Sequence, residues 1–169
     1  RIKFDTGVTT ALKTVAWHTG GKTAFLAGDS GVVLRYVEST QSIENVEGTG
    51  QLEGTDIEAI SWRNNGDRAY LGGEAGRIYS YDAENGFQLL DQTAESMITS
   101  IACHRHHTVC IITTLQDGVA IIDRDSQVHW LGSEENTWIS AVCSDPDVNE
   151  CVVVASGRRI SAIILKPDN

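Results

Sequence analysis

One short pattern recurs four times along this chain, and a recurring unit leaves few folds open. Aligned on Val15-Ala16-Trp17, Ile60-Ser61-Trp62, Ile101-Ala102-Cys103 and Ala141-Val142-Cys143, the third residues stand 45, 41 and 40 positions apart. In the second copy a polar turn, Arg63 to Asp67, follows the anchor; then come Ala69 to Gly73, a tight Glu74-Ala75-Gly76, and Arg77 to Asp82. The first copy repeats this with His18 to Lys22, Ala24 to Gly28, Asp29-Ser30-Gly31 and Val32 to Val37. The third and fourth turn at Gln116-Asp117-Gly118 and Ser156-Gly157-Arg158.

Short β-rich runs divided by Gly, Asp, Asn and Ser read as antiparallel strands and hairpins. Gly in these turns accepts positive φ at no steric cost. No window carries apolar residues at i, i+3, i+4 and i+7, which predicts almost no helix. A fourth strand per unit comes from Ser42 to Val46, Phe87 to Leu90 and Val128 to Leu131. Four strands in about 40–45 residues make a propeller blade. The expected fold is all-β, a β-propeller of four four-stranded antiparallel blades in one domain, 1–169. The blades span about 14–46, 57–90, 98–131 and 138–165. The fourth unit lacks its last strand while Arg1 to Asp5 forms a surplus one, so this N-terminal strand is expected to complete the last blade and hide its edge. The copy number admits a closed four-blade ring, half of a larger ring, or two chains completing an eight-bladed ring, and the compact four-blade unit is the preferred reading. Trp17 and Trp62 are expected to lie buried between blades.

Trp17, Gly21, Phe25-Leu26, Gly28, Gly31 and Tyr36, with Trp62, Gly66, Tyr70-Leu71, Gly73, Gly76 and Tyr81, resemble the WD40/YVTN-like propeller repeat families. The Gly-x-x-Gly turns are also similar to those of photosystem-assembly propeller repeats. The chain departs from the WD40 pattern in having no Gly-His or Trp-Asp dipeptide; Tyr81-Asp82 and Ile122-Asp123 stand in place of the latter. The resemblance implies a binding scaffold and transfers no catalytic residue.

Lys and Arg number 13 against 23 Asp and Glu, a net charge of −10, and this acidity speaks against a nucleic-acid partner. No apolar run approaches the roughly 20 residues of a membrane span, so no membrane insertion is expected. Arg1 in place of an initiator Met, with no leader-like segment behind it, reads as a processed or excised chain.

Four cysteines fall at matched places. Trp17 with Phe25 and Trp62 with Tyr70 flank the first hairpin turn of their units; Cys103 with Cys110 and Cys143 with Cys151 are read as their counterparts. Facing residues of an antiparallel pair lie about 4.5–5.5 Å apart, within disulfide reach. Two bridges, Cys103–Cys110 and Cys143–Cys151, are therefore candidates beside the alternative of buried free thiols, and oxidised pairs would imply a secreted or extracytoplasmic compartment. Cys103, His104, His106, His107 and Cys110 crowd together, but their spacing fits no zinc signature and reads as an exposed turn. Asp145-Pro146-Asp147 lacks the dense ligand run of a calcium loop. No metal, cofactor or catalytic set is expected.

Acidic residues gather in two loop classes that a propeller places on one rim: Asp29, Glu74 and Asp117 in second-to-third-strand turns, and Glu47, Glu53, Asp56, Asp91, Glu95, Glu134 and Glu135 between blades. Arg158 breaks the series in the fourth turn. This reads either as a solubilising surface or as a platform for a basic protein partner. The expected role is a non-catalytic scaffold. The alternative is an enzyme or a sugar- or metal-binding propeller with an axial pocket, which the small residues Ala16, Ser61, Ala102 and Val142 on the inward strands disfavour.

Overall fold

A computed structural model describes residues 4–131, 138–143, 150–155 and 159–164 of the chain. Blade 1 comprises β1 (Leu12–Trp17), β2 (Thr23–Gly28), β3 (Val33–Val37) and β4 (Ser42–Asn45). Blade 2 comprises β5 (Ile57–Trp62), β6 (Ala69–Gly73), β7 (Ile78–Asp82) and β8 (Gly86–Asp91). Blade 3 comprises β9 (Ile98–Cys103), β10 (Cys110–Thr114), β11 (Val119–Ile122) and β12 (Val128–Trp130). In blade 4, β13 (Trp138–Cys143), β14 (Glu150–Ala155) and β15 (Arg159–Ile164) are described. Each sheet is an antiparallel meander in sequence order. The helical content of the described residues is three single 3₁₀ turns, Asp29–Gly31, Thr49–Leu52 and Glu74–Gly76.

The blades stand side by side, β1 against β5, β5 against β9 and β9 against β13. Side chains alternate across a strand, so each sheet has two apolar faces and the core lies between sheets. Phe25, Ala27 and Val33 of blade 1 meet Ile57, Ile60, Leu71 and Tyr79 of blade 2. Tyr70 and Ile78 of blade 2 meet Ile98, Ile101, Ile112 and Ile122 of blade 3. Ile111 and Val119 of blade 3 meet Trp138, Cys151 and Val153 of blade 4. The same register positions therefore recur at every junction.

Glycine is required where the second strand turns into the third. A Cβ on Gly73 would lie 2.1 Å from the Asp56 carbonyl oxygen, and one on Gly76 would lie 2.1 Å from that of Ala94. Gly76 also has a φ of +64°, so both space and conformation exclude a side chain there.

Three expectations need correction. Phe4 and Asp5 form no strand on blade 4; the Phe4 ring lies 5.5 Å from that of Tyr36 on blade 1, and Arg1 to Lys3 lie outside the described residues. Among the described residues β1, β5, β9 and β13 pack in that order, and no comparable packing of β13 along β1 occurs. Trp62 is half-buried against Phe25 and Tyr81, as its place between blades requires, but Trp17 is 53% exposed because no blade among the described residues covers its face of blade 1. Finally, Trp17 faces Ala24 and Trp62 faces Ala69, not the aromatic residues one position later. The cysteine pairs thus stand where blades 1 and 2 place a tryptophan opposite an alanine.

Candidate functional site

The turns Asp29–Gly31 and Glu74–Gly76 and the connections between blades share one rim. Asp29 N–H donates to the Ala11 carbonyl and Glu74 N–H to the Asp56 carbonyl. The opposite rim carries the first and third turns of blades 1 to 3, joined for example by Glu38 N–H to the Lys22 carbonyl at 2.9 Å. The acidic residues so brought together divide into two kinds.

One kind is engaged in structure. In every blade the first strand bulges at its second residue, Lys13, Glu58, Thr99 and Ile139. The Lys13 ammonium reaches Asp29 at 2.6 Å, Glu58 at 2.6 Å and Asp56 at 3.4 Å, tying blade 1 to blade 2. The Asp29 and Glu58 carboxylates hold the Lys13 ammonium well above its ordinary range. Asp56 is held below the usual carboxylate range chiefly by the Ser30 N–H, 2.8 Å away. Asp117 accepts from the Ser96 N–H at 2.7 Å and from the Ser96 hydroxyl, which lowers its carboxyl in the same way. Asp91 accepts from the Trp130 indole at 3.2 Å and from Thr93. Lys13, Ser30 and Ser96 escaped the sequence reading because the bulge and loop contacts that place them have no pattern along the chain.

The other kind points to solvent. Glu47, Glu53, Glu74 and Glu95 are exposed, and their carboxylates bond no described residue. Glu134, Glu135 and Arg158, like Asp145 to Asp147, lie outside the described residues.

On the opposite rim the first hairpins of blades 1 to 3 converge on a cleft of about 590 Å³ lined by Trp17, His18, Ser61, Trp62, His104 and Arg105, among others. Two of its histidines, His18 and His104, bond the backbone. His18 Nδ1 accepts from Gly20 N–H at 3.0 Å, so its Nε2–H donates to the Gly66 carbonyl at 3.0 Å. His104 is fully buried, not exposed as the turn composition suggested, because its Nδ1 accepts from the N–H groups of His106 and His107. No metal-competent cluster of His, Cys, Asp and Glu occurs among the described residues.

Cys103 faces Cys110 and Cys143 faces Cys151 across their hairpins, with Cα atoms 3.9 and 4.0 Å apart and the sulfurs joined as disulfides. Asp82 and Asp123, standing where WD40 repeats carry the acid of Trp-Asp, cap the third turns. Asp82 accepts from Glu84 and Asn85 N–H, and Asp123 from Asp125 and Gln127 N–H.

No protein-family model matches the sequence, and no curated protein matches it. Solved structures do. A chain of the mitotic checkpoint complex superposes with a TM-score of 0.71 at 16% identity, over 94% of this chain and 50% of that one. The computationally designed Ika4 protein superposes with a TM-score of 0.73 at 13% identity, over 95% of this chain and 94% of that one. Such likeness shows a WD40-type propeller fold. The chain spans half the length of the checkpoint chain it matches.

Proposed function

We propose that this chain is a non-catalytic scaffold that presents its acidic rim to a basic protein surface, and that it works in an oxidising compartment. The observation that carries the reading is the division of the rim acids. Asp29, Asp56 and Asp117 are consumed by Lys13, Ser30 and Ser96, whereas Glu47, Glu53, Glu74 and Glu95 face solvent and their carboxylates bond no side chain among the described residues. Charge left uncompensated on one rim adds to a directed field, which steers an oppositely charged partner. Glu134, Glu135 and Arg158 belong to the same proposed surface by their turn class. A structural neighbour that is itself part of a complex accords with protein partners. The Gly28–Gly31 and Gly73–Gly76 turns keep the finer likeness to assembly-factor repeats within this reading. His18 and His104 of the opposite cleft spend Nδ1 on hairpin backbone, which favours the scaffold over an axial ligand site.

The test measures association with a Lys/Arg-rich peptide as salt is raised. The triple variant Glu53→Lys, Glu74→Lys, Glu95→Lys is expected to slow the on-rate on the order of 10-fold at low salt and to flatten its salt dependence. An unchanged on-rate at low salt overturns the proposal and leaves the acidity as solvation.

A further inference from the structure

The two ends of the blade series carry halves of a junction that the chain forms three times internally. Facing the preceding blade, Ile60 and Ile101 are 7% and 6% exposed, and Trp62 and Cys103 stand beside them in the packed junctions. Blade 1 presents Val15 and Trp17 at these register positions, and they are 62% and 53% exposed. Facing the following blade, Val33, Ile78 and Val119 are 2%, 0% and 6% exposed. Their counterpart in blade 4 is Ile160, which is 70% exposed; Val142, at the position of Ala16, Ser61 and Ala102, is 63% exposed. Apolar patches of this kind, contiguous on one sheet face, mark interaction surfaces.

We infer that a second copy of this chain covers both faces, blade 4 of each copy packing on blade 1 of the other to close an eight-bladed ring. The surface that fits the open face of blade 1 is the forward face of such a blade, since that pairing already repeats at blades 1–2, 2–3 and 3–4. A second copy supplies that face and at the same time the preceding-blade face that blade 4 lacks. A head-to-tail interface of this kind closes on itself when its rotation is a simple fraction of a turn. Phe4 leaves blade 1 across Tyr36, on the side where blade 4 of the second copy would stand with β15, the outermost described strand of its sheet.

Sedimentation of the 169-residue chain at micromolar concentrations tests this. The expected species has twice the chain mass of 18.3 kDa. Trp17→Asp and Ile160→Asp each change an exposed side chain, so their melting curves at dilution should match wild type while dimer affinity falls on the order of 30-fold or more. Mixing the two variants is the decisive arm. A head-to-tail ring keeps one unmodified junction, Trp17 of one chain against Ile160 of the other, so the mixture should dimerise where neither variant alone does. A wild-type monomer at these concentrations, as expected if further blades or another protein cover the faces, overturns the inference. So does a dimer indifferent to both substitutions, a ladder of larger species, or a mixture that stays monomeric.

Discussion

At the junction of blades 1 and 2 the inner end of the slot is filled by Trp62 opposite Ala69, with Phe25 at 4.9 Å and Tyr81 at 6.2 Å between ring centroids. At the junction of blades 3 and 4 the equivalent slot holds the Cys143–Cys151 disulfide, packed among Ile111, Val119 and Val153. The backbone register is the same, so the two fillings solve one packing problem in different ways. An indole stabilises the junction by burying area against the neighbouring blade, and its worth depends on that neighbour being present. A disulfide within a hairpin acts on the unfolded chain of its own blade and needs no neighbour. The first half of the molecule is thus held between blades, the second half more within them.

The sharpest test of that contrast is Trp62→Ala. Removing the indole leaves a cavity among Phe25, Tyr81 and the Ala69 side of the slot, and such aromatic truncations cost about 3–5 kcal/mol when buried. Trp62 is half-buried, so about 3 kcal/mol is expected, read as a shift in the denaturant midpoint. Hydrogen exchange should rise first at Leu71 and Tyr79, which share its cluster, and later at Ile112 and Val153. A uniform rise across all four blades would show that the halves unfold as one unit and break the comparison.

Reduction should act in the opposite half. The two bridges close loops with sequence separations of 7 and 8, worth about 2.5 kcal/mol each in the chain-entropy account. Protein taken from its native compartment and alkylated under denaturing conditions without reductant should carry no labelled thiol. After reduction, exchange should rise at Ile112 and Val153 while Leu71 and Tyr79 stay protected. Four labelled cysteines in the native material would remove the covalent half of the contrast and the oxidising compartment with it.

The repeat, its turns and the strand order were legible in the sequence because Gly, Asp and Asn punctuate hairpins at fixed offsets. The register of the slot was less so. Ala24 and Ala69 make room for the indoles opposite them, and a small residue leaves no signal, so the aromatic one place later drew the alignment to itself. The exposure of Trp17 was not legible either, since a repeat specifies which face a side chain takes and not whether a neighbour covers it. His104 looked like a loop residue by composition; its burial follows from two backbone N–H groups that only the folded turn aims at Nδ1. Of the rim, the sequence displayed the acids but not their division, because Lys13 meets Asp29 across its own sheet and Asp56 and Glu58 across a blade boundary, while Ser96 meets Asp117 across a loop.

The same two halves differ more gently in their turn acids. Glu74 in blade 2 and Asp117 in blade 3 occupy equivalent turns, yet Glu74 faces solvent while Asp117 accepts two hydrogen bonds from Ser96. Those bonds favour the carboxylate and depress the Asp117 carboxyl below its ordinary value of 3.8, the Ser96 hydroxyl being the largest cause. A group depressed in the folded state contributes stability that is present above its unfolded value and lost as pH falls through the folded one. Asp117 should therefore add to the acid limb of the stability curve, below about pH 4. Asp117→Asn removes the charge, keeps one acceptor oxygen and is expected to lower stability at neutral pH while flattening that limb. Glu74→Gln, with no bond to lose, should move neither. Asp82 and Asp123 are depressed as well and remain in both variants, so only the difference between the two melting series isolates the Ser96 contact. Equal acid limbs for the two variants would show that the contact does not persist in solution, and blade 3 would then hold its turn no more firmly than blade 2.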